Sequence, residues 1–262
     1  MARRWTDSEE NFHRSQLYEL YVQKNLPLRE VAEALGIPQA TVFTRMQRLG
    51  IPSTPERKPL YLNHLKNVRI PAYSPVLAEF IGVMLGDGHL SHFQVVVTLG
   101  NKEESYAVHV RELMHELFHT DARICLRKDG YRDVYFGSTV ATAWLRKMGL
   151  VSNKVREQVS SPAWIYEKPE YMRAFLRGFF DTDGSIYKLR FGIQISLTNK
   201  SHPLLFSLRT MLITLGYRPS EICGAKLYIT RVPDVRRFFA EIRPANPKHQ
   251  RRYSEFIESV GR

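Results

Sequence analysis

Apolar residues in the first fifty positions recur at helical spacing in three short runs. Phe12, Leu17, Leu20 and Tyr21 predict a first helix, closed near Asn25-Leu26-Pro27. Leu28, Val31, Ala32 and Leu35 predict a second, ending at Gly36, and Val42, Met46 and Leu49 a third, ending at Gly50. The pattern then breaks. Pro52, Pro55 and Pro59, with Ser, Thr, Arg and Lys between them, make residues 52–71 a linker, with strand-like pieces at Tyr61-Leu62 and Val68-Arg69-Ile70. Beyond it stand two nearly all-apolar runs of helical length, one starting near Pro75 with Ser74 as its cap, the other running from Tyr171 to Asp183. After each comes strict alternation. Phe93, Val95, Val97 and Leu99 face in while Gln94, Val96 and Thr98 face out; Phe191, Ile193, Ile195 and Leu197 face in while Arg190, Gln194 and Ser196 face out. Residues 102–118 and 201–216 then read as helices. Short strands follow at 122–127 with 134–136 and at 220–223 with 226–230, then helices at 140–148 and 235–242. Each half is thus predicted as α-β-β-α-β-β-α, with a last amphipathic helix at 253–260.

The two apolar runs repeat one another. Phe80-Ile81-Gly82-Val83-Met84-Leu85-Gly86-Asp87-Gly88 lies over residues 176–184 at an offset of 96, matching Gly82 with Gly178, Asp87 with Asp183 and Gly88 with Gly184. Downstream, Leu99-Gly100-Asn101-Lys102 answers Leu197-Thr198-Asn199-Lys200, and Ser152-Asn153-Lys154 answers Asn246-Pro247-Lys248. From Asp to Asn is 14 residues in one copy and 16 in the other; from Asp to the late Lys is 67 and 65. Two copies with matched landmarks imply a pseudo-two-fold molecule. Gly82 and Gly178 lack side chains, so the two helix backbones can approach closely there and bring Asp87 and Asp183 together. Gly184 is expected to end its helix in a left-handed conformation. Asp183 then sits at the negative end of a helix dipole, a conflict that a nearby cation removes. The turn does not fit a calcium-binding EF-hand loop, which wants its Gly two positions later and a Glu where Gly192 stands.

These residues resemble the LAGLIDADG homing endonucleases in their single-chain, two-motif form, over roughly residues 72–258. The resemblance implies an α+β fold: a pseudo-two-fold pair of αββαββα repeats (72–160 and 161–262) forming an antiparallel-sheet saddle for double-stranded DNA. It implies that the motif helices pack side by side and that Asp87 and Asp183, with Gly86 and Thr182 beside them, bind Mg²⁺ at the scissile phosphates, Mn²⁺ being a substitute. It makes Lys154 and Lys248 the basic residues that stabilise developing charge, and Asn101 and Asn199 the polar residues that hold solvent. Lys102 and Lys200 are candidate phosphate contacts. Leu85 departs from the family, which usually has an acidic residue there, as the second copy has in Asp181.

Residues 1–51 look like the helix-turn-helix domains of prokaryotic DNA-binding proteins. The third helix then presents Gln39, Ala40, Phe43, Thr44 and Arg48 to the major groove, with Arg45 on phosphate. On the free faces of the sheets, Arg190 and Gln194 are the leading base-reading candidates, followed by Gln94, Arg123, Arg127 and Arg132.

Charge agrees with such a partner. The net formal charge is +12; residues 1–58 hold 9 Lys/Arg and 7 Asp/Glu, a net of +2, so +10 falls on the repeat region. Cys125 and Cys223 read as small core residues, which with no zinc-ligand spacing points to a reducing cytosol. The N-terminus turns acidic at Asp7 without a signal-peptide core, and the longest apolar run, 76–86, is interrupted by Glu79 and too short to span a bilayer. The expectation is a soluble, cytoplasmic, nucleoid-associated monomer from a prokaryotic host. The resemblance implies a site-specific double-strand DNA endonuclease of the homing type, dependent on divalent metal and acting on a long asymmetric target. Two alternatives share the scaffold: a catalytically weak or inactive DNA-binding regulator, and an RNA-binding intron maturase. A start at Met1 argues against an embedded intein.

Overall fold

The computed structural model describes residues 5–24, 26–51, 68–190 and 192–260. The predicted linker through residue 67, Tyr61-Leu62 and Phe191 lie outside the described residues. The chain forms two compact units, Met1–Leu60 and Tyr61–Arg262.

In the first unit, α1 (Asp7–Leu17) opens on a capping box in which Thr6 and Glu9 satisfy each other's backbone N–H groups, and runs on as a π-helical segment, Tyr18–Gln23. Helices α2 (Leu28–Leu35) and α3 (Gln39–Arg48) are joined by Gly36-Ile37-Pro38, where Gly36 takes φ +64°. That left-handed turn costs a glycine little, and it sets the two helices against each other. Leu17, Tyr21, Val31, Ala32, Val42, Met46, Leu49 and Ile51 close a small core. Phe12, expected on the core stripe, is 60% exposed, because Leu17 and Tyr21 already define the buried face.

In the second unit, the first half follows the expected order: α4 (Pro75–Gly86), β1 (Gly88–Leu90), β2 (Gln94–Leu99), α5 (Glu104–Phe118), β3 (Arg123–Leu126), β4 (Arg132–Gly137) and α6 (Thr139–Lys147). Ser74 caps α4 through Leu77 N at 3.2 Å, with Pro75 in the first turn. The second half runs α7 (Pro169–Asp183), β5 (Gly184–Leu189), β6 (Gly192–Thr198), α8 (His202–Thr214), β7 (Lys226–Ile229) and α9 (Val232–Glu241), with α10 (Pro247–Val260) last. It lacks one predicted strand. Residues 220–223 give only an isolated bridge, Cys223 to Lys226, because Gly224 turns the chain at φ +56° and Arg209 takes the Ser220 carbonyl. The sheets are accordingly four-stranded, β1-β2-β4-β3, and three-stranded, β5-β6-β7, antiparallel throughout.

Helices α4 and α7 form the largest helix–helix contact among the described residues and run through one continuous core shared by both halves. The glycines make this approach possible. A methyl built on Gly178 would lie 2.0 Å from the Glu79 carbonyl oxygen, and one on Gly82 would lie 2.3 Å from that of Phe175. Two turns before Asp87, the buried Glu79 receives Arg177 of α7 at 3.0 Å and His109 of α5 at 2.7 Å, tying three helices together. Gly184 corrects the expectation for the helix end. Its φ is −90°, extended rather than left-handed, and glycine is required because a methyl there would meet the Phe180 carbonyl oxygen at 2.3 Å.

Candidate catalytic centre

Because α4 and α7 pack in parallel register from Gly82 and Gly178 onward, their C-terminal ends meet. A methyl on Gly86 would collide with the Thr182 hydroxyl and come within 3.6 Å of Cγ of Asp183. Asp87 and Asp183 are thereby held side by side, half-buried, each at a helix C-terminus. Burial pushes the Asp87 carboxyl up to about 7, reinforced by the charges of Asp183 and Glu103. Burial also raises Asp183, and Asn199 Nδ2, donating to its Oδ2 at 2.9 Å, works against that rise. Two half-buried carboxylates that repel each other at adjoining helix ends fit a hard divalent cation. No third His, Cys, Asp or Glu joins them in a metal-holding group among the described residues. A bound Mg²⁺ would take its other ligands from water and phosphate, which that ion favours.

The two lysines both reach this centre but differ in their surroundings. Lys154 Nζ donates to the carbonyls of Gly86 and of Met84, the latter at 3.3 Å, and so caps the end of α4. Burial pulls its ammonium below the usual lysine range while Asp183 and Asp87 pull it back. The Gly86 carbonyl, counted among the metal-side groups, is therefore already a lysine acceptor. Thr182 likewise spends its hydroxyl on the Gly178 and Phe179 carbonyls at 3.1 and 3.0 Å. Lys248 is instead paired with Glu103 at 2.7 Å, a carboxylate of the first half that also accepts from Asn246 Nδ2 at 2.7 Å and Gly100 N at 2.7 Å. Burial acts to raise the Glu103 carboxyl, but those hydrogen bonds hold it below the ordinary range. Asp181 ties the same loop down: Ala245 N and Asn246 N donate to it at 2.7 and 3.1 Å, so it acts as a cap, and Leu85 simply fills the core at its counterpart.

Strand register corrects the pairing of the asparagines. Gly88 pairs with Val97 and Gly184 with Leu197, so the first-half equivalent of Asn199 is the buried Leu99. Asn101 lies two residues beyond, exposed in the turn before α5, with its carbonyl taken by Arg132. Lys102 and Lys200 are exposed beside these turns. Glu103 is the residue that sequence reading missed. It stands 16 positions after Asp87, but with the first hairpin four residues shorter that spacing does not make it the register equivalent of Asn199, and its partners Asn246 and Lys248 lie in the other half of the chain.

On the free sheet faces, Gln94 and Arg123 hold the outward positions expected of them, Arg123 opposite Tyr135 and exposed. Arg132 does not. It shares the parity of Val134 and Phe136, points to the core side and reaches Glu104 at 3.3 Å. Arg127 follows β3 and pairs with Asp129 at 3.0 Å. Arg190 sits in the exposed turn between β5 and β6 rather than in a strand, and Gln194 donates to the Tyr187 hydroxyl at 2.8 Å. Ser196 keeps its outward parity yet is buried. Phe93 precedes β2 and is 39% exposed. Both cysteines are exposed, contrary to a core role; Cys125 pairs in register with Asp133, a position on the free face. In the first unit, Gln39, Ala40, Phe43 and Thr44 lie on the exposed face of α3, but Arg48 is drawn to Glu10 at 2.8 Å and Arg45 stands over Trp5. No helix among the described residues is long and apolar enough to cross a membrane.

A family model described as a LAGLIDADG-like domain matches residues 170–243, within the second half. The replication factor C small subunit of Methanocaldococcus jannaschii is 33% identical over 138 residues, covering 52% of this chain and 7% of that protein. The chain thus spans less than a tenth of that relative's length. Among solved structures, I-DmoI in complex with DNA and Ca is similar at a TM-score of 0.48 and 16% identity, over 64% of this chain and 88% of that one. The N-terminal LAGLIDADG domain of DUF199/WhiA is similar at a TM-score of 0.47 and 20% identity, over 66% of this chain and 86% of that one. The segment that resembles a LAGLIDADG-like domain, residues 170–243, lies within an α+β unit built on two antiparallel sheets.

Proposed function

We propose that this protein is a site-specific DNA endonuclease that hydrolyses both strands at a long asymmetric target, with a helix-turn-helix in its first unit as a second reader. The observation that carries this reading is the pair of half-buried, mutually repelling carboxylates at adjoining helix ends, each in the field of Lys154 and Lys248. Asp87 and Asp183 would hold Mg²⁺ or Mn²⁺, which when bound compensates charge on the phosphoryl oxygens and activates water. Asn199 orients the Asp183 carboxylate. Lys154 and Lys248 supply fixed positive charge where negative charge develops in the transition state.

A second reading, a DNA-binding regulator without strong catalysis, is favoured by two features. The first half has Leu99 where the second has Asn199, and the Lys248 charge is met by Glu103. Purified protein incubated with a randomised or genomic DNA pool, with Mg²⁺, with Ca²⁺ and with chelator, separates the two. Mg²⁺-dependent double-strand cuts at one sequence, lost in Asp87→Asn and Asp183→Asn while binding persists, support the endonuclease. Selective binding with no cuts under any metal supports the regulator.

A further inference from the structure

The outer face of α3 has an unusual composition for a DNA-reading helix. Gln39, Ala40, Phe43, Thr44 and Gln47 are all exposed and fall on one arc at helical spacing; none carries charge. The helix has two arginines, and both are turned away. Arg48 lies 4.3 Å over the Trp5 ring and pairs with Glu10 at 2.8 Å, and Arg45 lies 5.3 Å from the same ring. Phe43 is 44% exposed at the middle of the face and stands outside the unit's core. The Thr44 hydroxyl donates to the Ala40 carbonyl at 2.9 Å, so its proton is spent within the helix.

Guanine is read most often by Arg or Lys reaching O6 and N7, and this face presents neither. Adenine is read by a bidentate amide, and the thymine C5-methyl by an apolar side chain. We propose that α3 reads a short A·T-containing segment in the major groove, with Phe43 and Ala40 packed against thymine methyl groups and Gln39 and Gln47 bonded to adenine. The assignment rests on the helix-turn-helix reading above and deepens it: the first unit selects by methyl contact and amide pairing, while base-facing cations are left to the other unit. The occupant is double-stranded DNA rather than an apolar protein, because an exposed aromatic flanked on both sides by amides matches base edges, and the +10 carried by the rest of the chain holds the tethered first unit near the same polyanion.

The test uses the full chain and the duplex it selects from a randomised pool, at one fixed salt concentration. The selected site should carry A·T pairs at one end of the footprint. Replacing those thymines by deoxyuridine removes only methyl groups and should weaken binding about fourfold for each methyl that is packed. Phe43→Ala should bind the thymine duplex more weakly and lose the difference between the two duplexes. Wild-type protein that binds thymine and deoxyuridine duplexes alike, or Phe43→Ala protein that keeps the discrimination, overturns the proposal. The double variant Ala40→Glu/Phe43→Glu tests the underlying reading separately. If it leaves affinity and footprint unchanged, α3 does not touch DNA and the helix-turn-helix reading falls too. If Phe43→Ala changes only self-association, the face joins copies of the chain and the proposal is overturned.

Discussion

Asp87 is held at a pKa of about 7 by burial and by the neighbouring carboxylates, so the folded chain keeps a proton that the unfolded chain releases near 3.8. The folded state then binds more protons than the unfolded one between those values, and stability falls as pH rises through that window. A divalent cation replaces the proton and removes the penalty. Calcium should therefore raise the melting temperature more at pH 8 than at pH 5, and Asp87→Asn should flatten the pH slope and abolish the calcium effect. Melting curves with and without calcium from pH 5 to 9 test this; an equal shift at both ends would place the cation elsewhere. Asp181, also raised to about 7 by burial, should leave part of the slope in the variant, and the Ala245 and Asn246 N–H groups that donate to its oxygens hold that part down. The lysines give a second expectation. Lys154→Met and Lys248→Met should each slow single-turnover cleavage about a hundredfold, the scale of losing one preorganised stabiliser. Glu103→Gln keeps the hydrogen-bonding shape but removes the charge opposing Lys248, so it should change the rate on one strand more than the other. Strand-resolved labelling reads this, and equal changes on both strands would make Glu103 a mere brace. Asp87 and Asp183 were legible because the motif repeats at a fixed offset. Glu103 was not, since its partner Lys248 lies 145 positions away and no local pattern links them. Asn101 misled for a related reason. The second hairpin is four residues longer between Gly184 and Leu197 than the first between Gly88 and Val97, and the stretch from Leu197 to His202 is two residues shorter than that from Val97 to Glu104, so similar totals hid a shifted register.

At the scale of elements, the helix pair depends on two absent side chains. A Cβ at residue 178 would meet the Glu79 backbone at 2.0 Å and one at 82 would meet the Phe175 backbone at 2.3 Å, and neither contact is with a movable side chain. Gly178→Ala should therefore cost at or above the upper end of the ~1–3 kcal/mol typical of overpacking, more than the helix propensity of Ala returns. Urea unfolding measures it, and a neutral or stabilising result would mean the helices part more easily than their packing implies. Because the same separation sets the distance between Asp87 and Asp183, the variant should also lose calcium stabilisation. Helices and strand alternation were readable from period alone: Ser74 and Pro75 marked the start of α4, and Val95, Val97 and Leu99 marked the buried face of β2. Two failures differ in kind. Arg132 shares the parity of Val134 and Phe136, so its core side was readable from the alternation itself, whereas the strand expected at 220–223 gave way to tertiary contacts when Arg209 claimed a carbonyl and Gly224 turned the chain.

For the whole molecule, charge divides unevenly. The first 58 residues carry +2 of the +12, and the rest carries +10 together with both aspartates and both lysines of the centre. On the proposed function, backbone attraction and chemistry would belong to the second unit, and the first would add sequence preference with little field of its own. Two modest readers on one chain gain ~10²–10⁴-fold in affinity through effective concentration when the connecting segment spans both sites. A chain beginning at Pro59 should still cut with Mg²⁺, but at higher protein concentration and with a footprint shortened at one end. Its salt dependence should stay close to that of the full chain, because the slope of log K against log salt counts neutralised phosphates, at ~0.9 per phosphate, and most of the cations remain. Arg45 sharpens this further. Its guanidinium leans over Trp5 at the edge of α3, so Arg45→Ala should weaken binding across sequences without changing which bases are preferred. Footprints and salt titrations of full-length, truncated and Arg45→Ala protein on one DNA give the answer. Identical footprints and affinities for full-length and truncated protein would assign the first unit to packing or partner binding and leave target choice wholly to the sheets.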